Sequence, residues 1–523
     1  MSSAARTVVV GGGVAGLATA LHIAPSPVTL LVGSSLGQQA ASGWAQGGIA
    51  AAIGADDAPE WHAADTAAAG AGLVDSEIAA LVAAEAPQAI DWLIRLGASF
   101  DRETGGALSL GHEAAHSRRR IVRAGDQTGA EVLRTLIQAV RAEEAVEVVE
   151  KVTVIDLLIE DNSVVGVVCA GEDGRPYVMA ASRVVLATGG AGGLYASTTN
   201  PRSAIGSGLA LAARAGAVLR DLEFVQFHPT ALAVGLDPMP LATEALRGEG
   251  ALLLDNRGER FLADTPGQEL APRDVVARAI FNQRLAGRQV FLDASPLGDR
   301  LAQSFPGFDA SCRQAGLDPR VDPVPVICAA HYHMGGIKVD AAGRSSVAGL
   351  WACGEVASTG LHGANRLASN SLAEALVFAR RIAQDIDGIS PVFRPLRLRG
   401  RGIDRYRPAE RDDLRVIRRL MDHRFGVIRT EEEMRAGLSR LHALWSGSKE
   451  QARWSATVNA AQVAFLIGMS AIARRESRGG HFRTDFPQPA PELAKSSEWT
   501  LARAVEAFKH IGDNNHPAIA VAA

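Results

Sequence analysis

Thr7-Val8-Val9-Val10-Gly11-Gly12-Gly13-Val14-Ala15-Gly16 reads TVVVGGGVAG. Four largely β-branched residues in a row suit a parallel strand buried on both faces. The glycines that follow stand in a G-x-G-x-x-G frame at Gly11, Gly13 and Gly16, and residues 17–23 continue as an apolar helix. In such a frame the first glycine permits a tight turn. The second lets the backbone approach a pyrophosphate, and the third lets helix pack closely on strand. The helix N-terminus then offers free N–H groups and a positive dipole end to the phosphates. The frame alone also fits an ordinary glycine-rich turn, but a strand before it and a helix after it favour dinucleotide binding. Val28–Val32 reads as the next strand. It ends Leu31-Val32-Gly33-Ser34, without the acidic residue that usually holds a ribose hydroxyl, and this weakens a simple NAD reading.

The surrounding composition supports a folded globular chain. It has 523 residues, 47% of them hydrophobic, with a net charge of -4, enough for several domains around a large core. No Asp, Glu, Lys or Arg occurs from Thr7 to Ala55. Arg6 before this apolar stretch imitates a signal peptide or a membrane span. Three consecutive glycines interrupt it, and Pro25 and Pro27 break it, so a buried strand–turn–helix–strand unit explains the missing charge better. Cys169, Cys312, Cys328 and Cys353 form no CxxC pair, and their wide spacing predicts neither a zinc site nor an iron–sulfur cluster. A reducing cytoplasm and no metal are expected.

Two further strand ends point at the same ligand. Residues 183–186 form a strand running into Ala187-Thr188-Gly189-Gly190, and Leu350–Ala352 leads into Cys353-Gly354-Glu355. Strand ends that converge in this way describe an α/β, doubly wound sheet binding at its switch point. The segment 222–332 interrupts the pattern with turns and strands of its own and reads as an insertion. From about Gly400 the texture changes. Eleven arginines fall between Arg394 and Arg424, mixed with Asp404, Glu410, Asp412, Asp413 and Asp422, and a long helical pattern covers 454–475. The interspersed acids and the lack of aromatic platforms argue for a solvated helical domain and against nucleic-acid binding.

Polar residues recur in turn-like contexts: His228 in FVQFHPT, Glu244 and Arg247 in TEALRGEG, Arg273 after Pro272, His331 before Gly335-Gly336, and Arg366 before an apolar helix. Singly, each is read as structural. Together, two arginines and two histidines suit a small dianion such as a C4 dicarboxylate, because Arg forks bind carboxylates in bidentate fashion. Residues 111–120, GHEAAHSRRR, add one carboxylate, Glu113. It is either a helix-end charge or a reader of positive charge on a substrate.

Across roughly its whole length the chain resembles the succinate dehydrogenase/fumarate reductase flavoprotein family. The motifs are WAQGGIAA (44–51), FVQFHPTAL (224–232), TEALRGEG (243–250), ELAPRDVVARAI (269–280), AAHYHMGGI (329–337) and STGLHGANRLASNSL (358–372). The resemblance is strongest to the branch that oxidises L-aspartate to iminosuccinate with O₂ or fumarate as acceptor, the first step of NAD biosynthesis. A respiratory fumarate reductase or succinate dehydrogenase subunit is the alternative, and a non-catalytic FAD-binding scaffold is a third. The implied fold is a Rossmann-like FAD-binding domain (1–221 and 333–400), an inserted α+β capping domain (222–332) and a C-terminal helical domain (401–523).

The resemblance implies FAD held by Gly11, Gly12, Gly13, Val14, Ala15, Gly16, Ser34, Ser42, Gly43, Trp44, Ala45, Gln46, Gly47, Gly48, Val154, Thr188, Gly189, Glu355, Ser371 and Leu372. It implies substrate contacts from Glu113, Gln226, His228, Thr243, Glu244, His331, Arg366 and Ser369. Glu113, His228, Arg273, His331 and Arg366 would carry catalysis, with Arg273 as the proton-transferring arginine. Respiratory members attach FAD through a histidine; the matching position here is Ala41, which implies non-covalent FAD. Glu113, three residues before His116 in HSRRR, matches the carboxylate of the aspartate-oxidising branch. A carboxylate near Cα favours an ammonium-bearing ligand. Ser207 stands where relatives commonly have Asp, and Ala114 and Ala115 replace a pair of glycines. The implied partners are small molecules, with a hand-off of iminosuccinate to quinolinate synthase and neither membrane nor nucleic acid.

Overall fold

Thr7–Val10 forms the centre of a five-stranded parallel sheet in the computed structural model, which describes residues 7–389, 405–447 and 454–511. Val184–Leu186 and then Leu350–Ala352 lie on one side of it, Val28–Val32 and then Val146–Glu150 on the other. Val9 pairs with Val185 and with Leu30. All four residues of the first strand are buried, which is why its apolar run does not alternate.

The glycine turn follows sterically. Gly11 has φ +124°, and a Cβ there would overlap the Ala187 carbonyl oxygen. A Cβ at Gly16 would overlap the Gly11 carbonyl oxygen, so the helix could not lie so close to the strand. The helix spans Val14–Ile23, three residues earlier than the apolar pattern from Leu17 predicts, because Gly13 in extended backbone already serves as its N-cap. It packs against the long helix Asn370–Asp387.

The interrupting segment is a four-stranded antiparallel sheet in the order Val225–Leu232, Val324–His333, Val290–Asp293, Leu252–Asp255. Val225–Leu232 and Val324–His333, its first and last strands along the chain, are neighbours, so the chain leaves and re-enters the main body side by side. Helix Arg273–Leu285 packs across Val225–Leu232. A separate three-stranded antiparallel sheet joins Thr153–Glu160, Ser163–Ala170 and Pro176–Ala180.

The last part of the chain contributes helices Arg411–Arg424, Glu431–Ser446, Ala456–Ala473 and Leu501–His510. Ser455 caps the third by accepting from Val458 N. That helix is long and apolar enough to cross a membrane, but every residue of it is buried inside the molecule. Glu498–Trp499 then returns to pair with Leu219–Arg220 of the main body. The arginine-rich stretch is partly internal: Arg418 makes two hydrogen bonds to Asp237 and donates to the Tyr195 carbonyl. Arg394, Arg397, Arg399 and Arg401, with the expected boundary at 400/401, lie outside the described residues. A wholly buried ion cluster, Arg474 with Glu223 and Glu476, ties the helical part to the inserted segment. Removing one partner from such a cluster typically costs about 3–5 kcal/mol, because an unpaired charge is left inside.

Candidate active site

A cavity of about 1050 Å³ opens where four parallel strands end. Its walls include Gly11–Ala15 after the first strand, Gly33 and Ser34 after the second, Ala187–Gly190, and Cys353–Glu355. This is the switch-point crevice of a doubly wound sheet. Its size exceeds the roughly 300–1,000 Å³ of ordinary small-ligand pockets and suits a dinucleotide with a small co-ligand.

The residues present fit such a ligand. Gly13 faces the cavity, and a Cβ there would meet only the Ser42 hydroxyl, at 3.4 Å. Gln46 Oε1 and Thr188 Oγ1 line the cavity, are buried, and have no hydrogen-bond partner among the described residues. Buried polar atoms without partners are costly, so such atoms point to a ligand. Ser42 accepts from Val14 N at 3.2 Å, joining the 41–48 segment to the helix N-terminus. Burial pushes the Glu355 carboxyl up to about 7, while the His333 N–H donated to it opposes that shift. Of the residues expected to hold the cofactor, all but Gly16 line the cavity. Gly16 packs against Gly11 and acts on the turn from behind.

At one end of the cavity the expected polar residues come together. His228, Thr243, Glu244, Arg273, His331, Arg366, Ser369 and Glu113 all line it. His228 sits in strand Val225–Leu232 and His331 in the adjacent Val324–His333; their rings meet at 5.2 Å between centroids. His228 Nδ1 accepts the Thr230 N–H at 3.2 Å, so Nε2 carries the proton. That Nε2 is buried and has no partner among the described residues. Burial, then the nearby arginines, push both histidines well below the usual range, so they are neutral donors at neutral pH.

Two cations stand beside them. Arg273, the first residue of its helix, donates Nε–H to Glu244 Oε2 at 2.5 Å and NH1 to Gln226 Oε1 at 3.1 Å. Arg366 donates Nε–H to the same Gln226 oxygen at 3.3 Å and NH1 to Ser371 Oγ at 3.0 Å. Burial and the neighbouring Arg273 charge lower Arg366 to about 10. Burial works against ionisation of Glu244, but the Arg273 and Arg247 cations outweigh it and hold its carboxyl below the usual range. Two guanidinium groups with neutral histidine donors make an end suited to a dicarboxylate.

Gln226 corrects the expectation of a substrate contact. It does not line the cavity. Its amide N donates to Asn365 Oδ1 and the Arg366 carbonyl, while its oxygen accepts from both arginines. Its hydrogen-bonding capacity is spent behind the site, where it fixes how the two cations sit. Arg247 likewise stands behind, donating to the Glu269 carbonyl.

Glu113 faces this cationic end. It is 8% exposed and accepts from Ser369 Oγ at 2.7 Å. The same hydroxyl accepts from Gly48 N at 3.1 Å, and a Cβ on Gly47 would lie 3.1 Å from Glu113 Oε1. Burial and the Glu244 charge raise its carboxyl above the usual range, against the pull of Ser369, Arg273 and Arg366. A helix-end charge does not describe it: Glu113 follows the short strand Leu110–Gly111 and precedes a turn at 114–115, and it lines the cavity.

Some lining residues escaped the sequence reading. Thr199 Oγ1 lies 2.8 Å from His331 Nδ1, and Asn200 donates to the Ala330 and His331 carbonyls. Asn200-Pro201 is a turn signal, but nothing local says which strand the turn covers. Tyr332 lies beneath the Arg366 guanidinium, 4.6 Å from ring centroid to Cζ, and forms a cation–π contact. Ala41, which lines the cavity, carries no nucleophile.

The model of an FAD binding domain matches residues 6–372, and that of the fumarate reductase flavoprotein C-terminus matches residues 415–510. The chain is 51% identical to an L-aspartate oxidase of Mesorhizobium japonicum over 504 residues, covering 95% of each chain. It is 50% identical to an L-aspartate oxidase of Agrobacterium fabrum, covering 92% of this chain and 91% of the relative. Among solved structures, E. coli quinol fumarate reductase superposes with a TM-score of 0.85 at 29% identity, over 94% of each chain.

Proposed function

The chain belongs to the succinate dehydrogenase/fumarate reductase flavoprotein family, and from that premise we propose that it is an FAD-dependent enzyme that oxidises L-aspartate to iminosuccinate. Bound FAD supplies a hydride acceptor for the substrate Cα–H and an outlet for the electrons to O₂, giving hydrogen peroxide, or to fumarate, giving succinate. The observation that carries the choice of substrate is Glu113. It is a buried carboxylate across the cavity from a dicarboxylate clamp, where aspartate differs from succinate by an ammonium group.

The chain's own residues perform the rest. Arg366, His228 Nε2–H and His331 hold the two carboxylates, with Thr243 beside them and Ser369 on the Glu113 side, and so fix a near-attack geometry. Glu113 pairs with the ammonium group and takes a proton from it as the imine forms. Burial raises its proton affinity, which suits that role. Arg273 is the proton donor when fumarate is reduced. Arginine side chains in general stay protonated to a pKa of about 12 or more, so a base role for it is disfavoured. Glu244, hydrogen-bonded to Arg273 Nε, keeps that donor in place. Ala41 offers no nucleophile for covalent attachment, which supports dissociable FAD.

A cytoplasmic setting suits the four buried free cysteines. The lability of iminosuccinate supports a direct hand-off to an enzyme that consumes it, quinolinate synthase. The test of the substrate is anaerobic mixing of FAD-loaded protein with L-aspartate or succinate, followed by air. Bleaching of the flavin by L-aspartate, with peroxide formed on aeration, is expected. Bleaching by succinate alone would replace the reading with that of a succinate dehydrogenase.

A further inference from the structure

Three arginines and a histidine follow Glu113 in HSRRR, and the clamp uses none of them. The fold sorts them. Arg118 lies over the exposed Trp61 ring, and Arg119 faces solvent. Arg120 and His116 are buried beneath the Glu113 turn.

The turn is short and closed: His116 N donates to the Glu113 carbonyl at 3.2 Å, and Ala115 sits in left-handed backbone at φ +66°. Its two ends grip one peptide of the facing segment. Glu113 accepts the Ser369 hydroxyl, and His116 Nε2 lies 3.0 Å from the Ala368 carbonyl oxygen. A carbonyl can only accept, so Nε2 carries the proton. Burial lowers His116 to about 4, so Nδ1 is bare, and the Arg120 guanidinium facing it at 3.5 Å favours that tautomer.

Ser369 needs such a grip. It is a non-glycine residue at φ +61°, a strained conformation that persists only where neighbours hold it. The Arg120 side of the turn is itself anchored. Arg120 forms two hydrogen bonds to Asp57 and one to Asp65, and Asp65 also accepts the Ser117 N–H and hydroxyl.

We propose that His116 is a positioning residue for substrate selection: by holding the Ala368 carbonyl it fixes the Ser369 hydroxyl, and through it the Glu113 carboxylate, at the place where the ammonium group of the substrate sits. Arg120 sets the tautomer that makes this possible. The inference rests on Glu113 reading the ammonium group, as proposed above.

The test is a double-mutant cycle on the FAD-loaded enzyme, measuring aspartate oxidation and fumarate reduction separately. His116→Leu keeps the bulk and removes the donor. His116→Gln returns an N–H at the distance of Nε2, and His116→Asn is too short to do so. His116→Leu is expected to lower kcat/KM for aspartate roughly tenfold, with a much smaller loss on fumarate, and His116→Gln to recover most of it. Combined with Glu113→Gln, His116→Leu should add little further loss on aspartate. Equal losses on both substrates, or full multiplication of the two effects, would make His116 a general structural residue and overturn the proposal. If His116→Leu does not load FAD, the Gln and Asn pair decides: equal selectivity in those two also overturns it. Glu113→Gln alone checks the premise. If it does not separate aspartate from fumarate, the Glu113 reading itself has failed, whatever His116 does.

Discussion

The two walls at the substrate end of the cavity are built on opposite plans. The clamp wall is crowded with charge that is mutually arranged: Glu244, Arg273, Gln226 and Arg366 form one continuous hydrogen-bonded chain. The facing wall presents a single carboxylate, held by one serine hydroxyl and packed on glycine backbone. The clamp is set before a ligand arrives, and in the proposed function it recognises what aspartate, fumarate and succinate share. Among the described residues Glu113 has no bonded counter-ion, so its charge is best satisfied by a ligand that brings an ammonium group. In the proposed function, affinity for the dicarboxylate and choice among dicarboxylates are thus separated in space, so that each wall can be broken without the other.

The largest break is on the clamp side. Arg273→Leu, with flavin content confirmed by absorbance, should lower fumarate reduction by ~10²–10⁴-fold. A near-normal rate would remove Arg273 from proton transfer. Acid should weaken the folded chain, since buried neutral histidines lie beneath the Glu113 turn (His116) and beside Glu355 (His333). His116 and His333 are held at about 4, against an ordinary value of 6.5. Below pH 6.5 the unfolded chain takes up protons that the folded one refuses, so stability falls as pH drops from 6.5 towards 4. The loss approaches roughly 3 kcal/mol for each histidine at the low end. Denaturant melts at pH 7 and pH 5 check this, and a flat profile would contradict it.

Gln226→Leu leaves the two arginines without their shared acceptor. A loss of about tenfold in kcat/KM is expected for aspartate and fumarate alike, because the clamp serves both. A loss on aspartate alone would join Gln226 to the other wall. The smallest effect is Ala115→Gly. At φ +66° a glycine should relieve strain and stabilise the folded chain by about 1 kcal/mol, readable as a shifted urea midpoint. Destabilisation would mean that the alanine side chain has a packing role there.

Much of this plan is legible in the sequence. The strands Thr7–Val10, Val28–Val32 and Leu350–Ala352 stand residue for residue where the apolar runs place them, because short buried parallel strands leave continuous apolar signals bounded by glycine. Several cavity-lining polar residues, such as His228, Glu244, Arg273, His331 and Arg366, lie in long motifs, whereas Thr199 and Asn200 do not. What sits one layer back is not legible there. Gln226 and His228 belong to one strand two residues apart, yet one braces the arginines while the other faces the ligand; the bulges in that strand are set by its partner. Arg118, Arg119 and Arg120 are indistinguishable as letters, and only the fold buries the third against Asp57 and Asp65. The two-residue pairing of Glu498–Trp499 with Leu219–Arg220 has no local signature at all.

The most direct measurement is the rate of anaerobic flavin reduction by L-aspartate, set beside the rate of flavin reoxidation by fumarate, in the natural chain and in Glu113→Gln. The two-wall account predicts that the substitution slows reduction by aspartate roughly 10–100-fold, the loss of a charge-assisted contact, and slows reoxidation by fumarate far less. Equal slowing of the two half-reactions would show that Glu113 does not read the ammonium group, and the separation of the walls would fall with it.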